Sequence, residues 1–386
     1  MVKVNPFESV TQAEHSDEPA VRRGSRPRLR ELGLVVGELP PGPHNAITDV
    51  AGVRVGHTTL IAGEGPLLPG HGPVRTGVTV VLPHGENLFR HKVRAAVHTI
   101  NGFGKVFGFE QVRGLGLIEA PIALTNTLNV GLVVDALVQY TIRQNPDLGI
   151  RTSTANLVVG ETHDGYLNDI QGRHVRAEHV WAAIEAAAWG PVAEGAVGAG
   201  TGTSCFGWKG GIGTASRIVP PEAGGYTVGA LVQSNFGRPS DLIVCGVPVG
   251  RHLCPPEEPP PPTGDGGSIM IVLATDAPLS SRQLGRLCVR AAAGLARTGS
   301  VYGHGSGDFV TAHRIEHEPV SLTTVQTVLA DEARVMAWLF PAVVESVEEA
   351  VLNSLFRAET MIGRDGHIRH ALPVGEVVAL VQRQQA

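Results

Sequence analysis

The apolar positions of this chain come in short runs broken by glycine and proline, and only some of them carry a helical period. Strands are predicted at 78–82, 157–159, 226–233, 242–247 and 269–274. The last three are compact, apolar and rich in β-branched residues. Helices are predicted over 130–143, 177–188, 281–297, 325–339 and 342–357. Within 281–297, Leu284, Leu287, Cys288, Ala291 and Leu295 recur at helical spacing and form one apolar face. Ser280 or Ser281 is a natural N-cap for it. Residues 177–188 are apolar on most sides, so that helix is expected to pack into an interior or an interface.

Two polar stretches interrupt this pattern. Residues 1–28 are charged and end in a basic run, which predicts a disordered extension ahead of one domain over 29–386. Residues 255–262 are mostly proline and glutamate and suit neither sheet nor helix. Soon afterwards Gly267 and Ser268 lead directly into the apolar run 269–275. The strands on both sides of the tract are expected to pair in one core. A hydroxyl residue therefore stands first on a buried strand, at the end of an extended tether. If the bond before Ser268 were cut, the serine would carry a hydroxyl and an α-amine together, a nucleophile with its own base. Read locally, the same pattern is also a plain loop entering a strand.

Composition narrows the classes. The 386 residues are 42% hydrophobic and 17% charged, with 49 glycines, which fits a globular chain with many tight turns. A net charge of −5 offers no basic field for nucleic acid. No run nears the roughly 18 apolar residues of a membrane span, and no apolar signal core opens the chain. The four cysteines are widely spaced without a C-x-x-C pair, so buried or incidental thiols in a cytoplasmic protein are expected.

Several motifs invite chemistry. The glycine-rich stretch 195–202 fails as a dinucleotide loop, because the third glycine of G-x-G-x-x-G falls on Thr203. Lys209 precedes glycine rather than Ser or Thr, so no Walker A motif exists. His313 and His317 are four apart but Arg314 follows the first, and His367 and His370 lie in a loop-like segment. No convergent zinc set results, and these histidines are expected on the solvated surface, with no metal and no cofactor. Ser306 and Asp308, two apart among glycines, lie on one side of an extended strand and could orient a nucleophile and its amine. Asn235 ends a strand, where its amide could donate to an oxyanion or serve a turn. Glu161 also ends an apolar strand and could bind a substrate ammonium group. Gly303–Gly307 fails the G-x-S-x-G nucleophile elbow, since no glycine stands two residues after Ser306.

Taken together, these segments resemble the DmpA-type family of L-aminopeptidase/D-esterases, which includes the β-peptidyl aminopeptidases. The matching stretches run in family order over nearly the whole chain after residue 29: 32–56, 76–82 (TGVTVVL), 124–131 (LTNTLNVG), 160–170 (GETHDGYLNDI), 209–216 (KGGIGTAS), 231–237 (LVQSNFG), 267–278 (GSIMIVLATDAP) and 294–308. The resemblance implies a mixed α/β fold, a four-layer αββα sandwich of the N-terminal-nucleophile type with its own connectivity. It implies self-cleavage between Gly267 and Ser268 into chains 1–267 and 268–386, and a homotetramer of cleaved protomers. It also implies Ser268 as nucleophile, Ser306 and Asp308 as its supports, Asn235 as oxyanion donor and Glu161 near the substrate amine. A family tyrosine maps to Tyr166 or to the position of His163. The expected substrate is a small peptide, amino amide or ester. Two alternatives stand beside this: an uncleaved homologue with a binding or assembly role, and an ordinary amidase with an internal serine.

Overall fold

In the computed structural model, residues 26–256, 267–317 and 326–385 are described. Most of the proline tract and of the extension 1–28 therefore lies outside the described residues. The strands are β1 (Arg54–Ala62), β2 (Val74–Leu82), β3 (Val93–Gly102), β4 (Leu117–Ile118), β5 (Ile122–Asn126), β6 (Val158–Thr162), β7 (Ser204–Cys205), β8 (Trp208–Lys209), β9 (Ile212–Ile218), β10 (Thr227–Asn235), β11 (Gly267–Thr275), β12 (Ser306–His317), β13 (Met361–Ile362) and β14 (Ile368–Arg369). The helices are α1 (Phe109–Leu115), α2 (Val130–Gln144), α3 (Ala177–Glu185), α4 (Ser281–Arg297), α5 (Glu332–Phe356) and α6 (Val374–Gln385).

Two sheets dominate, one of order β1-β2-β5-β6 and one of order β4-β3-β12-β11-β10-β9. Their facing sides share one apolar core that includes Val81, Leu124, Val158, Leu231, Met270, Val272 and Phe309. Helices α4 and α5 cover the outer side of the six-stranded sheet. Helices α2 and α3 cover the outer side of the four-stranded sheet. The result is the αββα sandwich expected from the family resemblance.

Alternation along β11 shows how the sequence specifies this layering. Ile269, Ile271 and Leu273 join the core beneath the helices, whereas Met270, Val272 and Ala274 join the core between the sheets. A strand buried on both faces must be apolar at every core position, and 269–274 is. The strand lies antiparallel to β10 and parallel to β12.

The structure corrects four expectations. Residues 242–247 form a turn, not a strand: Cys245 and Gly246 have φ of +49° and +81°, and Val244 and Val247 bond each other across them. The helix at 177–188 stops at Glu185, because Ala188 leaves it to exchange two backbone hydrogen bonds with Val55. The helices at 325–339 and 342–357 are one, with Pro341 inside α5. The proline forfeits one backbone hydrogen bond, but every residue of 342–356 is buried, and that packing carries the helix through. His313 is fully buried on β12 rather than solvated, and burial, with His84 nearby, pushes its imidazole down to about 3.

The first seated residues are also earlier than expected. Arg26 donates to the Phe356 and Leu372 carbonyls, and Arg28 pairs with Glu194 at 2.8 Å. These contacts place 26–28 with the domain rather than with the extension. Beside them, buried Arg217 bridges Glu345 and Glu349 of α5, and Arg30 shares Glu349.

Candidate active site

Three neighbouring strands bring the predicted polar residues together. Asn235, the last residue of β10, is directly opposite Ser268 at the start of β11. Opposed residues on antiparallel strands have Cβ atoms about 5 Å apart. On the other flank, Gly267 pairs with Ser306, Ser268 with Gly307 and Ile269 with Asp308.

The two-residue period then divides the side chains between faces. Ser268 shares the face of Met270 and Val272, toward the four-stranded sheet. Asn235 follows Gln233, whose amide reaches across to the Thr125 carbonyl and the Thr162 hydroxyl of that sheet. Ser306 and Asp308 follow the face of Val310 and Ala312, on the helix side. The hydroxyl of Ser268 thus belongs to one face of the sheet, and the acid and second serine to the other.

Hydrogen bonding is incomplete where chemistry is expected. The Ser306 hydroxyl donates to Asp308 Oδ1 at 2.7 Å, but Asp308 Oδ2 is buried without a partner. Burial raises the Asp308 carboxyl to about 6, and the Ser306 hydrogen bond offsets only part of that. Ser268 Oγ is also buried and unpaired. Buried polar atoms rarely lack partners, and these two belong to adjacent strands within one residue of register.

The Asn235 carboxamide is held by one end. The backbone N–H of Ser204 donates to its Oδ1 at 2.9 Å, which assigns the NH₂ group to the side left over.

Glu161, on β6 of the facing sheet, is buried. The N–H of Lys105 donates to its Oε1 at 2.9 Å, and the Thr127 hydroxyl donates to its Oε2. Gly104 lies between this carboxylate and Gly307, the register partner of Ser268. A Cβ there would come within 3.4 Å of Glu161 Oε1 and 3.1 Å of Gly307 Cα. Gly104 thus touches both the acid and β12, the strand next to that of Ser268.

Tyr166 stacks on His367 with ring centroids 4.5 Å apart, and the Arg369 guanidinium covers it at 3.7 Å. Arg369 in turn donates to the Ser204 hydroxyl at 2.9 Å, so Tyr166 belongs to the Asn235 corner. His163 is exposed.

Residues 45–369 match peptidase family S58. A β-peptidyl aminopeptidase of Sphingosinicella microcystinivorans is 44% identical over 375 residues, covering 92% of each chain. The chain belongs to peptidase family S58. Among solved structures, the PH0078 protein of Pyrococcus horikoshii OT3 superposes with a TM-score of 0.87 at 50% identity, covering 93% of this chain and 99% of that one. The L-aminopeptidase D-Ala-esterase/amidase of Ochrobactrum anthropi superposes at 0.83 with 38% identity, covering 93% and 99%. That protein is described as a prototype for the serine aminopeptidases and a variant of the Ntn hydrolase fold. Membership of S58 makes this chain a hydrolase of the aminopeptidase class.

Sequence reasoning missed the groups that hold these candidate side chains: Lys105 and Thr127 on Glu161, and Ser204 on Asn235. Two of these contacts are backbone N–H groups, which leave no trace in residue type. Among the described residues, no group of three His, Cys, Asp or Glu side chains could hold a metal, and no helix is long and apolar enough to cross a membrane.

Proposed function

We propose that the chain cuts itself between Gly267 and Ser268 and then acts as an aminopeptidase through Ser268. One observation carries this reading: Ser268 Oγ and Asp308 Oδ2 are both buried and unpaired on adjacent strands, one residue apart in register. In the first step Oγ attacks the Gly267 carbonyl, the Oγ proton passes to the Ser268 nitrogen as it leaves as an amine, and an ester links the two chains. Water then hydrolyses the ester, releasing the Gly267 carboxylate and restoring the hydroxyl. Glycine at 267 leaves no side chain beside the attacked carbon.

The new α-amine gives Asp308 Oδ2 and Ser306 a cationic or neutral donor to hold. With an ordinary pKa of about 7.7–8.0, the amine can take the Oγ proton near neutral pH. In turnover, Oγ attacks the substrate carbonyl and the amine takes its proton. The Asn235 NH₂ donates to the oxyanion, and the protonated amine returns the proton to the leaving nitrogen. Water releases the acyl group from Oγ. Glu161 receives the substrate's ammonium group, with Tyr166 lining the far side, which restricts the enzyme to substrates with a free amine. Small peptides, amino amides and esters fit this arrangement, and no cofactor or metal takes part. Four free thiols support a cytoplasmic setting, and the family resemblance supports a homotetramer of cleaved protomers.

Intact mass and N-terminal sequencing test the reading. Wild-type protein should give two chains, one beginning at Ser268. Ser268→Ala should stay a single chain of 40.5 kDa without activity on L-, D- and β-aminoacyl p-nitroanilides. A Ser268→Ala protein that still splits would sink the assignment.

A further inference from the structure

Lys209 of β8 is completely buried, with its ammonium group inside the protein. All three of its N–H bonds are used: Nζ donates to the carbonyls of Gly200 at 2.9 Å, Thr203 at 2.9 Å and Gly210 at 2.8 Å. The middle acceptor matters most. The Thr203 carbonyl and the Ser204 N–H are the two ends of one planar peptide unit, and they point in opposite directions. At one end is the Lys209 ammonium group. At the other is Asn235 Oδ1.

We propose that Lys209 is a positioning residue for Asn235, acting through the peptide unit between Thr203 and Ser204; this rests on the oxyanion role given to Asn235 above. The ammonium group fixes the direction of that peptide. If the peptide turned over, a carbonyl would face Asn235, whose amide would then present Oδ1 to the reacting carbonyl and repel an oxyanion. Lys209 also strengthens the relay, because a charge-assisted bond to the Thr203 oxygen polarises the peptide and makes the Ser204 N–H a better donor. The three carbonyl acceptors call for three N–H donors, whereas burial pushes the Lys209 amine down to about 7, opposed by Asp164 and Cys205 and reinforced by Arg369; burial likewise raises the Asp164 carboxyl to about 7. Of these Asp164 is the acid, held by Thr76 at 2.5 Å and Asn168 at 3.0 Å. Hydrophobic packing cannot explain a lysine here, since unpaired burial of an ammonium group is strongly unfavourable.

A double-mutant cycle on processed enzyme tests the inference, with kcat normalised to the cleaved fraction by intact mass. Loss of an oxyanion donor lowers kcat by about 100- to 1,000-fold, so Asn235→Ala sets that scale. Lys209→Met should lower kcat by about 10- to 100-fold with KM changed by less than about three-fold, because the donor is mis-aimed rather than removed. In the Asn235→Ala background, Lys209→Met should change kcat by less than about two-fold, since nothing is left to aim. Lys209→Gln, which keeps two N–H donors, should recover part of the loss. An equal loss in both backgrounds overturns the positioning role alone. So does failure of both Lys209 variants to fold, which would make Lys209 a folding residue. If Asn235→Ala itself leaves kcat unchanged, the oxyanion reading falls and takes the positioning role with it.

Discussion

Asp308→Asn, made in the Ser268→Ala chain, isolates the electrostatic cost of burying this acid without a partner for Oδ2. In the intact chain burial raises the Asp308 carboxyl from 3.8 to about 6. Each pKa unit corresponds to about 1.4 kcal/mol between the two protonation states, so the charged form costs the fold about 3 kcal/mol. The sign follows from proton counting. Between about pH 4 and 6 the native chain keeps a proton that the unfolded chain has lost, so stability falls as pH rises. Below about 4 both states are protonated and the cost is absent; above about 6 it is complete. The carboxamide of the Asp308→Asn variant cannot ionise, so that variant is free of this dependence. Its buried NH₂ group adds only a constant offset, which does not vary with pH.

The observable is therefore the difference in Tm between the two proteins as a function of pH. At about 2.1 cal/mol/K per residue, the 386-residue chain has an unfolding entropy near 0.8 kcal/mol/K. A change of about 3 kcal/mol then moves the difference by about 4 °C in favour of Asp308→Asn between pH 4 and 7.5. Scanning calorimetry or dye-based melting at four pH values is sufficient. A difference that stays flat across the range would refute the claim that Asp308 is an uncompensated buried acid.

Three further changes probe the rest of the design. Glu161→Gln keeps an oxygen for the Lys105 N–H and turns the Thr127 hydroxyl from donor to acceptor of the new NH₂ group, but removes the charge, so KM for substrates with a free amine should rise by about 10-fold or more, with a smaller change in kcat; initial-rate kinetics decide it. Gly213→Ala would place a Cβ 1.9 Å from the Ala350 carbonyl, forcing α5 off the sheet, and melting should show a loss of at least about 3 kcal/mol. Arg217→Met takes the guanidinium away from buried Glu345 and leaves Glu349 with Arg30, with an expected loss of about 3 kcal/mol in denaturant titration.

The sequence revealed most about this molecule where one residue type had one physical use. The apolar run after Ser268 read as a fully buried strand, and of the two N-cap candidates, Ser280 and Ser281, the structure uses Ser280, with α4 starting at Ser281. Ser306 and Asp308 were legible as neighbours on one face because a strand alternates. It failed where distant packing decides. Residues 242–247 are as β-branched as β10, yet Cys245 and Gly246 turn the chain back. Pro341 reads as a helix break, yet burial against the sheet keeps α5 whole. Lys209 carried no visible signal, since its three acceptors are carbonyls supplied by a glycine-rich turn and a hairpin. The pairing of Asn235 with Ser268 also needed the register, which spacing in the chain does not provide.

The order of the six-stranded sheet has a consequence for what a cut at Gly267 would leave behind. β12 lies between β3 and β11, and β11 lies between β12 and β10. Two strands from the C-terminal piece are thus wedged among strands of the N-terminal piece, while α5 clamps β9 and β10 from outside. Breaking the bond would convert a single polypeptide into an interlocked heterodimer. Dilution alone could not part its halves, because separation means tearing two seams of the same sheet. The two pieces should elute together from every native column and come apart only in denaturant.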